Sequence, residues 1–329
     1  MIKKSSLGRA VDRIARSRQP FACGLAAALS LPMTACAPLE APQNAAAISW
    51  TPSQSDLLFT SNHEGNSELY LRRAGDDSFI NLTKSAAPEN WPVWSPSGDR
   101  ILFQSRVGGN LDILVMNADG TNVRQLTDNP AHDYVPTWSH DGHRIYFASW
   151  RVEEGEAEAQ VHFYVMNEDG SDQQRIAMDS PETSGPLVPS PDGRLLAYSR
   201  RVGEGQSVIR LRQTGTGVER DLATPEGYVG APSFSPDGTR MAFYVQQGEV
   251  SKIFIADIAS GALREIVSTG RNYEPKWSPD GRWLMVTVSS SVEDQDLDLW
   301  LFDPEGTAPP MLLIDTEART SEGRWRPLP

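Results

Sequence analysis

Hydrophobic and polar positions alternate along this chain in short runs, and the runs recur in sets. Arg100-Ile101-Leu102-Phe103, Asp112-Ile113-Leu114-Val115-Met116, Arg144-Ile145-Tyr146-Phe147 and Lys252-Ile253-Phe254-Ile255 are strand-length and rich in β-branched and aromatic residues. No helix-period segment of any length interrupts them. Between the runs lie related turn sequences: Trp94-Ser95-Pro96-Ser97-Gly98, Trp138-Ser139-His140-Asp141-Gly142, Pro189-Ser190-Pro191-Asp192-Gly193, Phe234-Ser235-Pro236-Asp237-Gly238 and Trp277-Ser278-Pro279-Asp280-Gly281. Degenerate copies stand at Trp50-Thr51-Pro52 and Trp325-Arg326-Pro327. Successive copies lie 44, 44, 51, 45, 43 and 48 residues apart, the spacing of an array whose unit is one supersecondary element.

The turn chemistry identifies that element. Proline presets φ at the second position of a type I turn, Asp tolerates the third, and Gly accepts positive φ at the fourth. Such a turn followed by a left-handed glycine is a common hairpin connection. An apolar residue before it and an apolar run after it supply the arms. Each unit continues with a further strand, a second turn such as Asn117-Ala118-Asp119-Gly120, and a closing run such as Arg124-Gln125-Leu126-Thr127. Four strands in about 45 residues describe a propeller blade. The expected fold is all-β: a six-bladed β-propeller of four-stranded blades over residues 48–329.

The N-terminus reads differently. Residues 1–35 carry Lys3, Lys4, Arg9, Arg13, Arg16 and Arg18 against Asp12, then an apolar run from Phe21 to Ala35 that is too short to span a bilayer stably. This is a signal peptide. Met33-Thr34-Ala35-Cys36 resembles a bacterial lipobox, which implies cleavage before Cys36 and diacylation of its sulfur; ordinary cleavage after Ala37 is the competing reading. Of the two cysteines, Cys23 lies within the removed segment. The mature chain would keep one thiol at its first residue, and acylation accounts for it. Ala37 after the cysteine resembles the sorting pattern for the Gram-negative outer membrane, with the domain facing the periplasm. Residues 36–47 form an Ala/Pro-rich tether. Removal of the six basic residues and one acid of the leader from totals of 30 and 43 leaves a net charge of about −18, which argues against nucleic acid as a partner. A lipid would hold the protein at the membrane.

The combined pattern of Pro-x-Trp-Ser-Pro-Asp-Gly, an Ile-x-Phe strand, a Val-Met-Asn-x-Asp-Gly turn and Gln-Leu-Thr resembles the propeller repeat of the TolB family, most completely from Trp94 to Thr127. The resemblance covers residues 56–329. It implies that the ring is closed by the C-terminal strand, with Trp325 in the innermost strand of the first blade beside residues 56–83; Trp50 is a rival for that place. It also implies binding to another envelope protein, since the TolB propeller binds the lipoprotein Pal. The α/β domain that precedes the TolB propeller has no counterpart here, so this chain reads as a TolB-like lipoprotein.

In a propeller the loops entering the innermost strands and the hairpins between second and third strands share one face. That places His63, Trp91, Arg106, Tyr134, Trp150, Arg151, Arg201, Tyr228, Arg271 and Tyr273 on a candidate partner-binding face, with Asn90, His132, Asp133 and Asn272 nearby. Aromatic and arginine side chains suit protein recognition; they equally suit capping the channel and pairing with neighbouring acids. Two insertions, Val152–Gln160 and Ser290–Asp296, border that face. Asp294, Asp296, Asp298 and Glu305 follow calcium-loop spacing, but Leu299 stands where the loop needs glycine and Leu297–Phe302 reads as a strand. The histidines considered, His63, His132, His140 and His143, divide between the two faces, against a metal centre. No Gly-x-Ser-x-Gly elbow or phosphate loop is present. The expectation is a non-catalytic interaction module without cofactor or metal. A carbohydrate-binding or polysaccharide-lyase propeller using the central mouth, with Trp91, Tyr134, Tyr228 and Tyr273 as stacking residues, is one alternative. An outer-membrane assembly factor is another.

Overall fold

The Ser-Pro-Asp-Gly turns fold as their residues dictate. In four copies the serine hydroxyl donates to the aspartate two residues on at 2.6 Å (Ser139–Asp141, Ser190–Asp192, Ser235–Asp237 and Ser278–Asp280). The same hydroxyl accepts the backbone N–H five residues on, as from Arg144 and Arg240 at 2.9 Å. Where Ser97 replaces the aspartate, Asp99 takes its role and accepts from Ser95 at 2.8 Å. The closing glycines have φ between 69° and 74°, a conformation that costs a side-chain-bearing residue.

The computed structural model describes residues 55–327, except 77, 153–159, 179–182, 268–269, 290–296 and 316–317. The signal peptide, Cys36, the tether, Trp50, most of the Val152–Gln160 insertion, Ser290–Asp296 and the acids Asp294 and Asp296 lie outside the described residues.

Twenty-four strands occur among the described residues, grouped as the repeat predicts. The first group is β1 (Leu57–Ser61), β2 (Glu68–Arg72) and β3 (Phe79–Asn81). Then come β4 (Glu89–Trp94), β5 (Arg100–Val107), β6 (Asn110–Asn117) and β7 (Arg124–Gln125). The third group is β8 (Asp133–Trp138), β9 (Arg144–Ser149), β10 (His162–Asn167) and β11 (Gln174–Arg175). The fourth is β12 (Thr183–Pro189), β13 (Leu195–Gly203), β14 (Gln206–Gln213) and β15 (Glu219–Leu222). The fifth is β16 (Tyr228–Phe234), β17 (Arg240–Gln247), β18 (Val250–Asp257) and β19 (Leu263–Val267). Last are β20 (Arg271–Trp277), β21 (Leu284–Ser289), β22 (Leu297–Phe302), β23 (Met311–Ile314) and β24 (Thr320–Trp325).

With β24 assigned to the first group, each group is an antiparallel four-stranded sheet, and the last two are joined through one parallel bridge between Ser251 and Arg271. The first is completed by β24, which pairs β1 with Trp325 opposite Leu57 and Thr320 opposite Ser61. The predicted closing run shortens to β7, because Thr127 replaces ladder bonding with its side chain: Ile113 N–H donates to Thr127 Oγ1 at 3.0 Å while Leu126 N–H reaches Ile113 O at 2.8 Å.

Apolar clusters lie between groups. Leu58, Leu69 and Leu71 of the first group pack on Trp94, Ile101 and Phe103 of the second, and Leu102 and Val115 pack on Trp138 and Phe147 of the third. The third meets the fourth through Phe163 and Tyr198, the fourth meets the fifth through Leu211 and Phe243, and the fifth meets the sixth through Ile255 and Val286. The sixth then packs on the first, with Met285 and Leu299 against Leu57, Phe59 and Trp325. Each of these side chains is at most 9% exposed, so every sheet buries both faces against neighbours.

Candidate functional site

Strand register fixes which loops share an end of the molecule. Glu89 at the start of β4 lies opposite Ser105 near the end of β5, Asp133 opposite Ser149, and Arg271 opposite Ser289. The leading strand of each group therefore begins beside the hairpin that follows its second strand, and the Ser-Pro-Asp-Gly turns occupy the other end.

All six leading strands carry a register break in the middle. At each break one residue has left-handed φ: Trp91 57°, Val135 47°, Gly185 71°, Ala231 49°, Glu274 52° and Glu322 58°. Five of the six carry side chains that resist this conformation, and for β-branched Val135 it is a genuine outlier. Bulges of this kind re-aim a side chain. All six residues line one cavity of about 640 Å³, so the bulges turn one residue of each leading strand toward a common bore.

The bore is chemically lopsided. On β4, β8, β12 and β16 its bulge residues are Trp91, Val135, Gly185 and Ala231; on β20 and β24 they are Glu274 and Glu322. Two residues farther along stand Lys276 and Arg324. Glu322 Oε2 accepts Trp91 N–H at 2.5 Å and Thr60 Oγ1–H at 2.7 Å, and the Arg324 guanidinium lies 5.2 Å over the Trp91 ring. Burial in the bore, then the Glu322 charge, push the Glu274 carboxyl up; Arg324, Lys276 and Arg319 oppose the rise. Burial and the Arg324 charge push the Lys276 ammonium down. Glu274 lines the bore and both side chains are half-buried, so their desolvation comes from depth within the molecule.

An aromatic wall rises toward the mouth. Tyr244 stands 6.2 Å from Tyr228 and 5.8 Å, edge-on, from Tyr273. Its ring lies over Gly230, where a Cβ would come within 2.5 Å of the phenol oxygen. Burial, with Tyr228 and Glu274 nearby, raises the Tyr244 phenol. Tyr134 is raised by burial despite its hydrogen bond with Trp150.

Of the sequence-derived residues, the cavity gathers Trp91, Tyr228, Arg271 and Tyr273. Tyr134 lies beside them on β8. The other five stand apart from its lining. His63 is an exposed turn residue, and Arg201 is an exposed residue of strand β13. Arg106 donates to Gly109 O of its own hairpin at 3.1 Å, and Trp150 is 43% exposed. Arg151 is spent on Asp133 and Gln173, both at 2.7 Å, and lies over the Phe147 and Tyr164 rings. Nearby, His132 Nδ1 accepts Leu111 N–H at 2.9 Å. Glu305 of the calcium-like spacing pairs with Arg240 and Arg264. Sequence reasoning missed Glu274, Lys276, Arg319, Glu322, Arg324 and Tyr244. The usable signal was the third residue before each motif tryptophan, which the bulge turns inward.

The family model described as the TolB beta propeller domain matches residues 89–201 and 152–295, together more than half of the chain. The chain belongs to the TolB beta-propeller family. Among curated proteins, an uncharacterized protein of Agrobacterium fabrum is 31% identical over 143 residues, 43% of this chain and 45% of that protein. The Tol-Pal system protein TolB of Francisella tularensis subsp. holarctica is 33% identical over 90 residues, 26% of this chain and 20% of that protein. The chain thus spans less than half the length of these relatives. Among solved structures, TolB from Acinetobacter baumannii matches with a TM-score of 0.73 at 18% identity, covering 84% of this chain and 68% of that one. An oligogalacturonate lyase in complex with manganese matches with a TM-score of 0.56 at 14% identity, covering 78% and 74%. At these identities the structural likeness shows the fold alone.

Proposed function

We propose that the mature protein is a lipid-anchored, six-bladed TolB-like propeller that acts as a non-catalytic interaction module of the bacterial cell envelope. Cys36 would carry the lipid, residues 36–47 the tether, and the partner would be a periplasmic or outer-membrane protein, Pal-like in kind. The cyclic succession of apolar clusters and the β24–β1 pairing support a closed ring of six blades.

One observation carries the functional reading. The end of the molecule opposite the Ser-Pro-Asp-Gly turns presents Trp91, Tyr228, Tyr273 and Arg271 around a single mouth, in a protein that is otherwise strongly acidic. Large aromatic and arginine side chains grouped at a concave centre favour a protein contact.

In-cell crosslinking with mass spectrometry tests it, comparing wild type with an Arg271→Ala/Tyr273→Ala variant. The expected result is a stoichiometric envelope protein captured by wild type and lost from the variant. Capture of no protein overturns the reading, as does equal capture by both. Cys36→Ser tests the anchor separately: the protein should leave the membrane fraction and lose incorporation of labelled palmitate.

A further inference from the structure

The units of a repeat protein are built to one plan, so a residue that breaks the plan at an equivalent position calls for its own explanation. At the bulge and two residues beyond, only β20 and β24 are charged: Glu274 with Lys276, and Glu322 with Arg324. These two strands belong to sheets that pack on one another, which places all four charges on one side of the bore. Arg271 and Arg319 line the cavity on the same side. The lining on this side therefore holds Arg271 and Arg319 with Glu274 and Glu322, and Arg324 lies buried behind them over the Trp91 ring.

The two outer arginines have charge to spare. The Arg271 guanidinium donates to a backbone carbonyl, Glu249 O, at 3.2 Å. Among the described residues, neither Arg271 nor Arg319 pairs with a carboxylate. A guanidinium fork facing a concave space is the side chain best shaped to take a carboxylate in two parallel hydrogen bonds.

Polar side chains deeper in the lining suit hydroxyl groups. Glu274, Thr287 and Ser321 line the same cavity, and carboxylate and hydroxyl oxygens accept hydrogen bonds from a ligand's hydroxyls, while serine and threonine also donate. On β16, β17 and β20, Tyr228, Tyr244 and Tyr273 line the same cavity and offer aromatic surface against which a ring can pack. A cavity of about 640 Å³ falls within the ordinary range for small-molecule sites.

The geometry points to a binding site in the bore for a small polyhydroxy acid: one sugar-sized ring bearing a single carboxylate. Arg271 and Arg319 would take the carboxylate, Glu274 and Ser321 the hydroxyls, and the tyrosine wall the ring face. This site does not depend on the protein partner proposed above, and it can be tested on purified protein without one.

The test is calorimetric titration of the folded mature domain with D-galacturonate, D-galactose and inorganic phosphate in parallel. The first two probes differ by the carboxylate, and the third supplies an anion without a ring. Galacturonate should bind at least about tenfold more tightly than either control, since a hydrogen bond to a charged group is worth about that much or more. Arg319→Ala should weaken galacturonate about tenfold while leaving the melting temperature unchanged, because Arg319 is exposed at the mouth. Arg271→Lys should weaken it too, since the charge stays and the fork is lost. Equal binding of galactose would remove the carboxylate from the proposal. Equal binding of phosphate would reduce the site to a general anion trap. Unchanged affinity in both arginine variants, or no binding of galacturonate, would overturn it.

Discussion

Gly230 illustrates how narrowly single residues shape the mouth. Tyr244 lies across its backbone, and an added methyl would sit 2.5–2.7 Å from three atoms of the phenol ring. Gly230→Ala should therefore displace Tyr244 and cost about 1–3 kcal/mol, the range for overpacking. Denaturant midpoints check this, and Tyr244→Ala in the same chain should recover most of the loss. Glu89 gives a prediction of a different kind. It is 3% exposed, beside Glu68 and within hydrogen-bonding reach of Ser85 and Ser105. Burial, aided by Glu68, raises its carboxyl from 4.5 to about 7, against the pull of hydrogen bonds from Ser85 and Thr83. The folded state thus holds the proton more tightly than the unfolded state. The stability it confers is full below pH 4.5 and falls away as pH rises through about 7. Melting temperatures followed from pH 4.5 to above 7 should decline more steeply for wild type than for Glu89→Gln.

At the scale of elements, a repeated clamp joins one sheet to the next. Arg100 lies 4.8 Å over the Trp138 ring and 2.6 Å from Glu168. Arg240 lies 4.6 Å over the Trp277 ring and 2.7 Å from Glu305. Arg326 repeats the stacking half of the arrangement, 5.3 Å over the Trp94 ring of the next sheet, while its ion pair at 3.1 Å is with Asp56 of its own sheet. Arg240→Ala should cost about 1–2 kcal/mol, the sum of a cation–π contact and a part-exposed ion pair. Arg194, 85% exposed and paired only loosely within its own turn at 3.7 Å, is the control that should cost almost nothing; urea unfolding of both variants decides the matter.

The hairpins were legible because their cause is local: serine, proline, aspartate and glycine hold each turn by bonds spanning five residues or fewer. The same holds for the Gln-Leu-Thr run, although its threonine side chain ends the strand sooner than the pattern implies. The bore was not legible in this way. Lys276 and Arg324 stand in strand positions that read as solvent-facing, and only the bulge at Glu274 and Glu322 turns that wall inward. Arg106 and Arg151 misled for the converse reason: a loop position says where a guanidinium starts, while Gly109 O and Asp133 decide where it ends. Residue periodicity thus reports the sheets faithfully and the mouth only in part.

For the whole molecule, the pairing of β24 with β1 joins residues far apart in sequence: Thr60 and Glu322, 262 positions apart, share a hydrogen bond. During synthesis the first sheet therefore waits, one strand short, while every later sheet can be completed in turn. Its missing strand also carries Glu322 and Arg324, with Arg319 just before it. A chain cut short by even its last dozen residues exposes the apolar edge of Leu57 and Phe59 and lacks half of the charged wall. The strand that closes the first sheet is thus also the strand that equips the centre, so an uncovered apolar edge and a depleted bore go together whenever β24 is absent.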